Sequence, residues 1–312
     1  MVYCKNNILV SALMVIFLIS LNGCGNSKQT PGNEAPPQGT QEPATNKDSA
    51  VMDEFNRIIQ KSDSTAEEII KFMDQNIAAV SPQNASVMMM ELEKKQQQGL
   101  PKLQDEFADY GMIQKTLTKD YRRALTETYI HETQDKATKD LLLKTKNNGF
   151  KLETAEGFYF PVIDYAFYKK YNLNITQDMV SYIDIMAAES DKTPIKDAAL
   201  IIGWEEILKR AVSHESFIKK YSNSAKIEDM KKLLKTYLIF ALYGSNNTPL
   251  FSYDNKEMVP AAKKAYLEAE FNESNGSFSK TMTEYLGILR KNDYKLTKEI
   301  DDFRKQAVEN FR

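Results

Sequence analysis

Residues 227–242 read Ile-Glu-Asp-Met-Lys-Lys-Leu-Leu-Lys-Thr-Tyr-Leu-Ile-Phe-Ala-Leu. Apolar side chains return at Ile227, Met230, Leu233, Leu234, Tyr237, Leu238, Ala241 and Leu242, with lysines between them. A strand would alternate at every second residue. This spacing instead follows the 3.6-residue turn and lays one apolar stripe along a helix.

The same period runs outward in both directions. Ser64-Thr65-Ala66-Glu67 forms a capping box ahead of Ile69, Ile70, Met73 and Ile77. Ser81-Pro82 predicts a cap with a first-turn proline, and Gly99 predicts the end of that helix. Thr118 to Asn147 reads as one long helix or two short ones, closed by Gly149. Thr176 opens the stripe Met179, Tyr182, Ile183 and Met186, and Thr193-Pro194 opens an all-apolar run, Ala198 to Trp204, expected as a central helix. Further helices are expected near 257–271, 278–291 and 297–310, the last capped by Thr297. FxKKY occurs twice, at Phe167–Tyr171 and Phe217–Tyr221. Two copies fall short of a solenoid, and both read as helix C-termini, with duplication as the alternative.

One stretch departs from the helical period. Phe150-Lys-Leu-Glu-Thr alternates, Ala155-Glu156-Gly157 can turn, and Phe158 to Ile163 is β-prone, with Pro161 confining it to an edge. The expected fold class is therefore all-α, a multi-helix bundle or irregular helical array with one short β-hairpin near 150–162. A subdomain boundary near 150 is left open.

Composition narrows the function classes. The chain has 312 residues, 41 basic and 43 acidic, for a formal charge of −2. A dedicated nucleic-acid binder carries a basic excess, so no nucleic-acid partner is expected. Residues 51–312 hold eight glycines, none closer than eight positions to the next. Neither a GxGxxG fingerprint nor a P-loop fits that spacing.

The N-terminus is an address. Lys5 precedes the apolar run Ile8–Leu21, which at about 1.5 Å per residue makes a helix too short for a comfortable span. A positive start and a short apolar run form an export signal. Leu21-Asn22-Gly23-Cys24 follows and resembles the lipobox of bacterial lipoproteins, with Leu21 and Gly23 in the large and small positions and Asn22 where Ala or Ser is usual. The resemblance implies a signal peptide at 1–23, removed on processing. It also implies a Cys24 that carries diacylglycerol and palmitate and holds the protein on the extracytoplasmic face of the cell membrane. Residues 24–50 then form the lipidated Cys and a flexible tether, since 25–50 has four Pro, three Gly and no aromatic residue. The body begins at 51. The only other cysteine, Cys4, lies in the signal, so no disulfide framework is expected.

Chemistry is sparse in the body. There are two histidines. His131 shares i, i+4 spacing with Glu127 and Asp135 but lacks a further ligand, and His214-Glu215 reads as a turn. Ser216-Phe-Ile-Lys219 and Ser277-Phe-Ser-Lys280 fit SxxK without the KTG strand that serine acyl-enzymes use. Met88-Met89-Met90 spans too wide an arc of a helix to face one ion and reads as core. No catalytic residue, metal ligand or cofactor is expected.

Phe158 to Tyr171 holds seven aromatics in 14 residues. Its first reading is a core plug, with Phe167 packed inside; the alternative gives Tyr159, Tyr165 and Tyr168 a binding role. The functional expectation is a non-enzymatic interaction or scaffold lipoprotein with a protein partner in the cell envelope. The alternatives are capture of a peptide, glycan or small solute for a transporter and, less favoured, an envelope enzyme or chaperone.

Overall fold

The structure is a computed structural model that describes residues 44–109, 111–120 and 125–311. The signal, the lipobox with Cys24 and most of the tether lie outside the described residues. The first half runs α1 (Ala44–Gln60), α2 (Ala66–Asn76), α3 (Pro82–Asp109), α4 (Gly111–Asp120), α5 (Glu127–Glu132) and α6 (Lys136–Asn147). The antiparallel hairpin β1 (Phe150–Ala155) and β2 (Phe158–Ile163), a 3-10 turn at Phe167–Tyr171 and α7 (Gln177–Asp191) follow. The second half begins with a small hairpin, β3 (Ile195–Lys196) and β4 (Ala199–Leu200), then α8 (Trp204–Lys220) and α9 (Ile227–Tyr243). A third hairpin, β5 (Gly244–Ser245) and β6 (Thr248–Pro249), leads to α10 (Pro260–Glu268), α11 (Ser277–Lys291) and α12 (Lys298–Asn310). The body is all-α with short hairpins, as its periodicity predicts.

Two apolar cores hold it together. Elements α1 to α7 and the β1–β2 hairpin enclose one, around Phe55, Met73, Met88, Met89 and Leu92. Helices α8 to α12 enclose the other, around Tyr237, Tyr266, Phe278 and Met282. Phe217 of α8 and Met230 of α9 join the first core, and Ile218 and Leu233 pack against both. The stripe of α9 packs as expected: Met230, Leu234, Tyr237, Leu238, Ala241 and Leu242 are buried. Each large apolar side chain there contributes about 1.5–3 kcal/mol.

Several expected boundaries move, each for a visible reason. Helix α1 starts at Ala44, so residues 44–50 of the expected tether belong to the fold. Asp48 anchors them by accepting hydrogen bonds from Ser81 N at 3.1 Å and Asn84 Nδ2 at 2.8 Å. Helix α3 runs through Gly99 and Pro101 instead of stopping, because Leu92, Leu103 and Phe107 continue its buried face. The 118–147 stretch breaks where Thr126 caps α5 and Asp135 caps α6.

The largest correction concerns Ala198 to Trp204, which is no central helix. Asp197 and Ala198 take φ of 50° and 56°, turning the chain between β3 and β4. Asn247 on the β5–β6 hairpin holds that turn, its backbone N–H bonding Ala198 O at 2.9 Å and its Nδ2 bonding Asp197 O at 2.7 Å. Ile202 and Trp204 still bury in the second core while Ile201 stays exposed. Apolar content was preserved and helical geometry was not.

Candidate functional site

The aromatic segment divides between core and surface. After β2, Asp164 turns the chain by accepting from Ala166 N at 3.1 Å. The Tyr165 and Tyr168 rings then stack at 5.7 Å and point inward. Tyr165 OH donates to Glu93 Oε1 at 2.5 Å, as does Tyr182 OH at 2.6 Å, and Tyr168 OH donates to Gln96 Oε1. Gln96 Nε2 in turn bonds Asn148 O at 2.7 Å and Gly149 O at 3.2 Å, tying α3 to the foot of β1. Burial, reinforced by the Glu93 charge, raises the Tyr165 and Tyr168 phenols well above their ordinary range. Two of the three tyrosines given a binding role are therefore core residues, closed to a ligand.

Tyr159 is different. It is half-buried on β2 and lines an open groove of about 1340 Å³, and Phe167, expected in the core, lines the same groove. Lys170 Nζ lies 4.0 Å from the centre of the Phe167 ring. The groove runs from α2 past the foot and length of β1 to the end of α7 and β3. Ion pairs follow its walls: Lys71 with Glu67, Lys170 with Asp74, Lys151 with Asp191 and Lys196 with Glu153. These pairs take up eight of its charged side chains, and Lys146, Asp164 and Lys192 line it as well. Phe150 and Leu152 also line it, although their side chains are buried in the first core. What those two residues offer the groove is chiefly backbone.

A second cleft, of about 480 Å³, lies between α7 and α8. Glu189 on α7 accepts from Tyr237 OH at 2.7 Å and from Arg210 NH1 at 3.3 Å. Arg210 also donates to Glu206 Oε1 at 2.8 Å and Lys192 O at 2.9 Å. His214, expected in a turn, lies within α8, with 1% of its surface exposed and its Nε2 3.7 Å from Glu189. Burial lowers its pKa, although the nearby Glu189 carboxylate opposes that shift. Glu189 is already shared with Arg210 and Tyr237, so desolvation wins. Neighbouring Glu215 caps α11, accepting from Phe278 N at 2.7 Å and Ser279 N at 3.1 Å. Both polar clusters brace helices.

The remaining sequence candidates are scattered. Glu127 pairs with Lys146 and Asp135 caps α6, so neither joins His131 in a shared site. Among the described residues no group of three or more His, Cys, Asp or Glu could hold a metal ion. Ser216 Oγ bonds Val212 O and Lys219 Nζ bonds Ser274 O, so that SxxK pair is not assembled. Met88 and Met89 are core. Glu93, Gln96 and Arg210 were not singled out from sequence. Their only signal is a polar residue on the buried face of an amphipathic helix.

No protein-family model, curated protein or solved structure matches this chain.

Proposed function

We propose that this chain is a non-enzymatic interaction lipoprotein of the cell envelope. Lipid on Cys24 holds it on the extracytoplasmic face of the membrane, and the groove beside β1 receives a protein partner. The observation that carries the reading is the groove itself. It is large and open, its wall carries paired charges of both signs, and it presents aromatic rings and strand backbone. Such a surface suits recognition through shape and hydrogen bonds. The lipobox-like Leu21–Cys24 supports the anchor, and no described helix is long and apolar enough to cross a membrane. Two or three acyl chains, at about 0.8 kcal/mol per buried CH₂, suffice for durable attachment.

Capture of a peptide or glycan fragment is the second reading, favoured by Tyr159 and Phe167 on the groove wall, since aromatic faces stack on sugar rings. Crosslinking in intact cells followed by mass spectrometry separates the two. An envelope protein crosslinked at groove lysines such as Lys151 or Lys192 supports the first reading, and a co-purified glycan or small solute supports the second. In the same cells Cys24→Ser should release the body or leave an unprocessed precursor. Normal processing and membrane retention of that variant would overturn the anchor.

A further inference from the structure

The two edges of the β1–β2 hairpin are treated differently. On the β2 edge Gln114 acts as a strand substitute, accepting from Tyr159 N at 2.9 Å and donating to Tyr159 O at 2.8 Å, and Gln104 donates to Pro161 O at 3.2 Å. Because Tyr159 and Pro161 face outward on that side, their partners Thr154 and Leu152 face outward on the other. Asp164 N bonds Gly149 O at 3.0 Å, which fixes the same alternation at the foot and turns Phe150 outward too. On the β1 edge only Thr154 N is met, by Glu153 Oε1 at 2.8 Å. Among the described residues nothing bonds the N–H or C=O of Phe150 or Leu152. Unpaired strand backbone is the group that a second extended chain satisfies best.

Resting on the proposed reading of the groove as a partner site, we infer that its occupant is an extended segment of the partner. It adds to β1 as an antiparallel third strand and carries a basic and an acidic residue two positions apart, in the order basic–x–acidic. The charge code comes from Lys151 and Glu153, which flank Leu152. Asp191 and Lys196 on the facing wall hold these two residues in the free protein, Lys196 at 2.6 Å from Glu153, and an incoming strand exchanges those wall partners for its own acidic and basic residues. An antiparallel strand centred opposite Leu152 places its earlier residue against Glu153 and its later one against Lys151, and cross-strand opposite charges favour that register. Lys151-Leu152-Glu153 has this same order, so a second copy would match in charge. The edge is recessed, however, with Asp191, Lys196 and Ile201 lining the same groove. A recessed edge admits a lone strand more readily than the edge of a second whole body. The chain's own tether is broken by prolines at 31, 36, 37 and 43, each of which lacks the N–H a strand ladder uses.

The test uses full-length protein in detergent and fluorescent peptides of the form Thr-Val-Thr-Lys-Val-Glu-Thr-Val-Thr. The reversed Glu-Val-Lys centre and a version N-methylated at the central Val serve as controls. The first peptide should bind about tenfold or more tighter than either control. Binding should also slow hydrogen exchange at the Phe150 and Leu152 amides about tenfold. The double variant Lys151→Glu/Glu153→Lys should reverse the preference between peptide orders. Equal or absent binding of both orders, with Leu152 exchange unchanged, overturns the inference. So does a dimer whose Leu152 amide is already protected without peptide, which would make the groove an interface between copies. A natural partner that crosslinks in the groove yet leaves Leu152 exchange unaltered rejects strand addition while retaining the partner site.

Discussion

Lys226 Nζ lies 2.5 Å from Glu93 Oε2, an ion pair between side chains 11% and 3% exposed and 133 positions apart. Glu93 projects from the middle of α3 among the hydroxyls of Tyr165 and Tyr182, and Lys226 caps the start of α9. The Lys226 ammonium also lies 4.8 Å from the Tyr182 ring centre. This contact, beside Met230 in the first core and the Tyr237–Glu189 bond, joins the first core to the helix that carries the fold's clearest apolar stripe.

Removing the cation should be costly. Lys226→Met leaves a carboxylate buried with only two phenols as partners, and breaking such a pair typically costs about 3–5 kcal/mol. Replacing both members, as Glu93→Leu/Lys226→Met, should recover most of that loss because no buried charge remains. Urea unfolding reads both variants. A single variant within about 1 kcal/mol of the parent would show that the pair does not hold the two halves together.

Helical class was legible because a 3.6-residue period survives wherever a stripe meets a core, as at Met230 to Leu242. The β1–β2 hairpin was legible from alternation and from Pro161, which lies on the outward-facing register that needs no ladder N–H. The helix expected at 198–204 was not legible as a hairpin, because the bonds that turn it come from Asn247, about fifty residues away. Site reading failed similarly. Tyr159 and Tyr165 look alike in sequence, but Glu93 on α3 draws one hydroxyl inward while β2 carries the other ring to the groove. Partners distant in sequence leave no local pattern.

His214 makes stability depend on pH. Its folded pKa is depressed below the 6.5 of an exposed histidine, chiefly by burial. The unfolded chain therefore binds the extra proton first, so stability is fully present above about pH 6.5 and falls as pH drops toward the folded value. Glu189, Arg210 and Tyr237 face the ring, and Nδ1 has no partner among the described residues. Unfolding free energies at pH 7.5 and 5.5 should differ in the parent and differ less in His214→Phe. An identical difference in both proteins would assign the acid limb to other groups.

Glu215 and Gly276 form a matched pair. The Glu215 carboxylate caps α11 so closely that a Cβ at residue 276 would lie 2.7 Å from its Oε1. Gly276→Ala must push the cap away, and Glu215→Ala removes it, stranding the Phe278 and Ser279 N–H groups in the interior. Each change should cost about 1–3 kcal/mol. Combining them should cost less than their sum, since both act on one contact. Full additivity in thermal or urea melts would refute that shared origin.

The aromatic segment should respond in two classes. Tyr165→Ala and Tyr168→Ala empty core positions and should cost about 3–5 kcal/mol. Tyr165→Phe removes one of the two phenols donating to Glu93 Oε1 and should cost about 1–3 kcal/mol with the ring retained. Tyr159→Ala and Phe167→Ala act on half-buried groove walls and should cost less, about 1–2 kcal/mol. Those two should lower crosslinking of the partner in intact cells about tenfold, a change worth 1.4 kcal/mol of affinity. The core variants should lose partner only in proportion to the unfolded fraction. Unchanged crosslinking with Tyr159→Ala and Phe167→Ala together would remove the aromatic wall from recognition. Losses of 3 kcal/mol or more at both positions would place them with Tyr165 in the core instead.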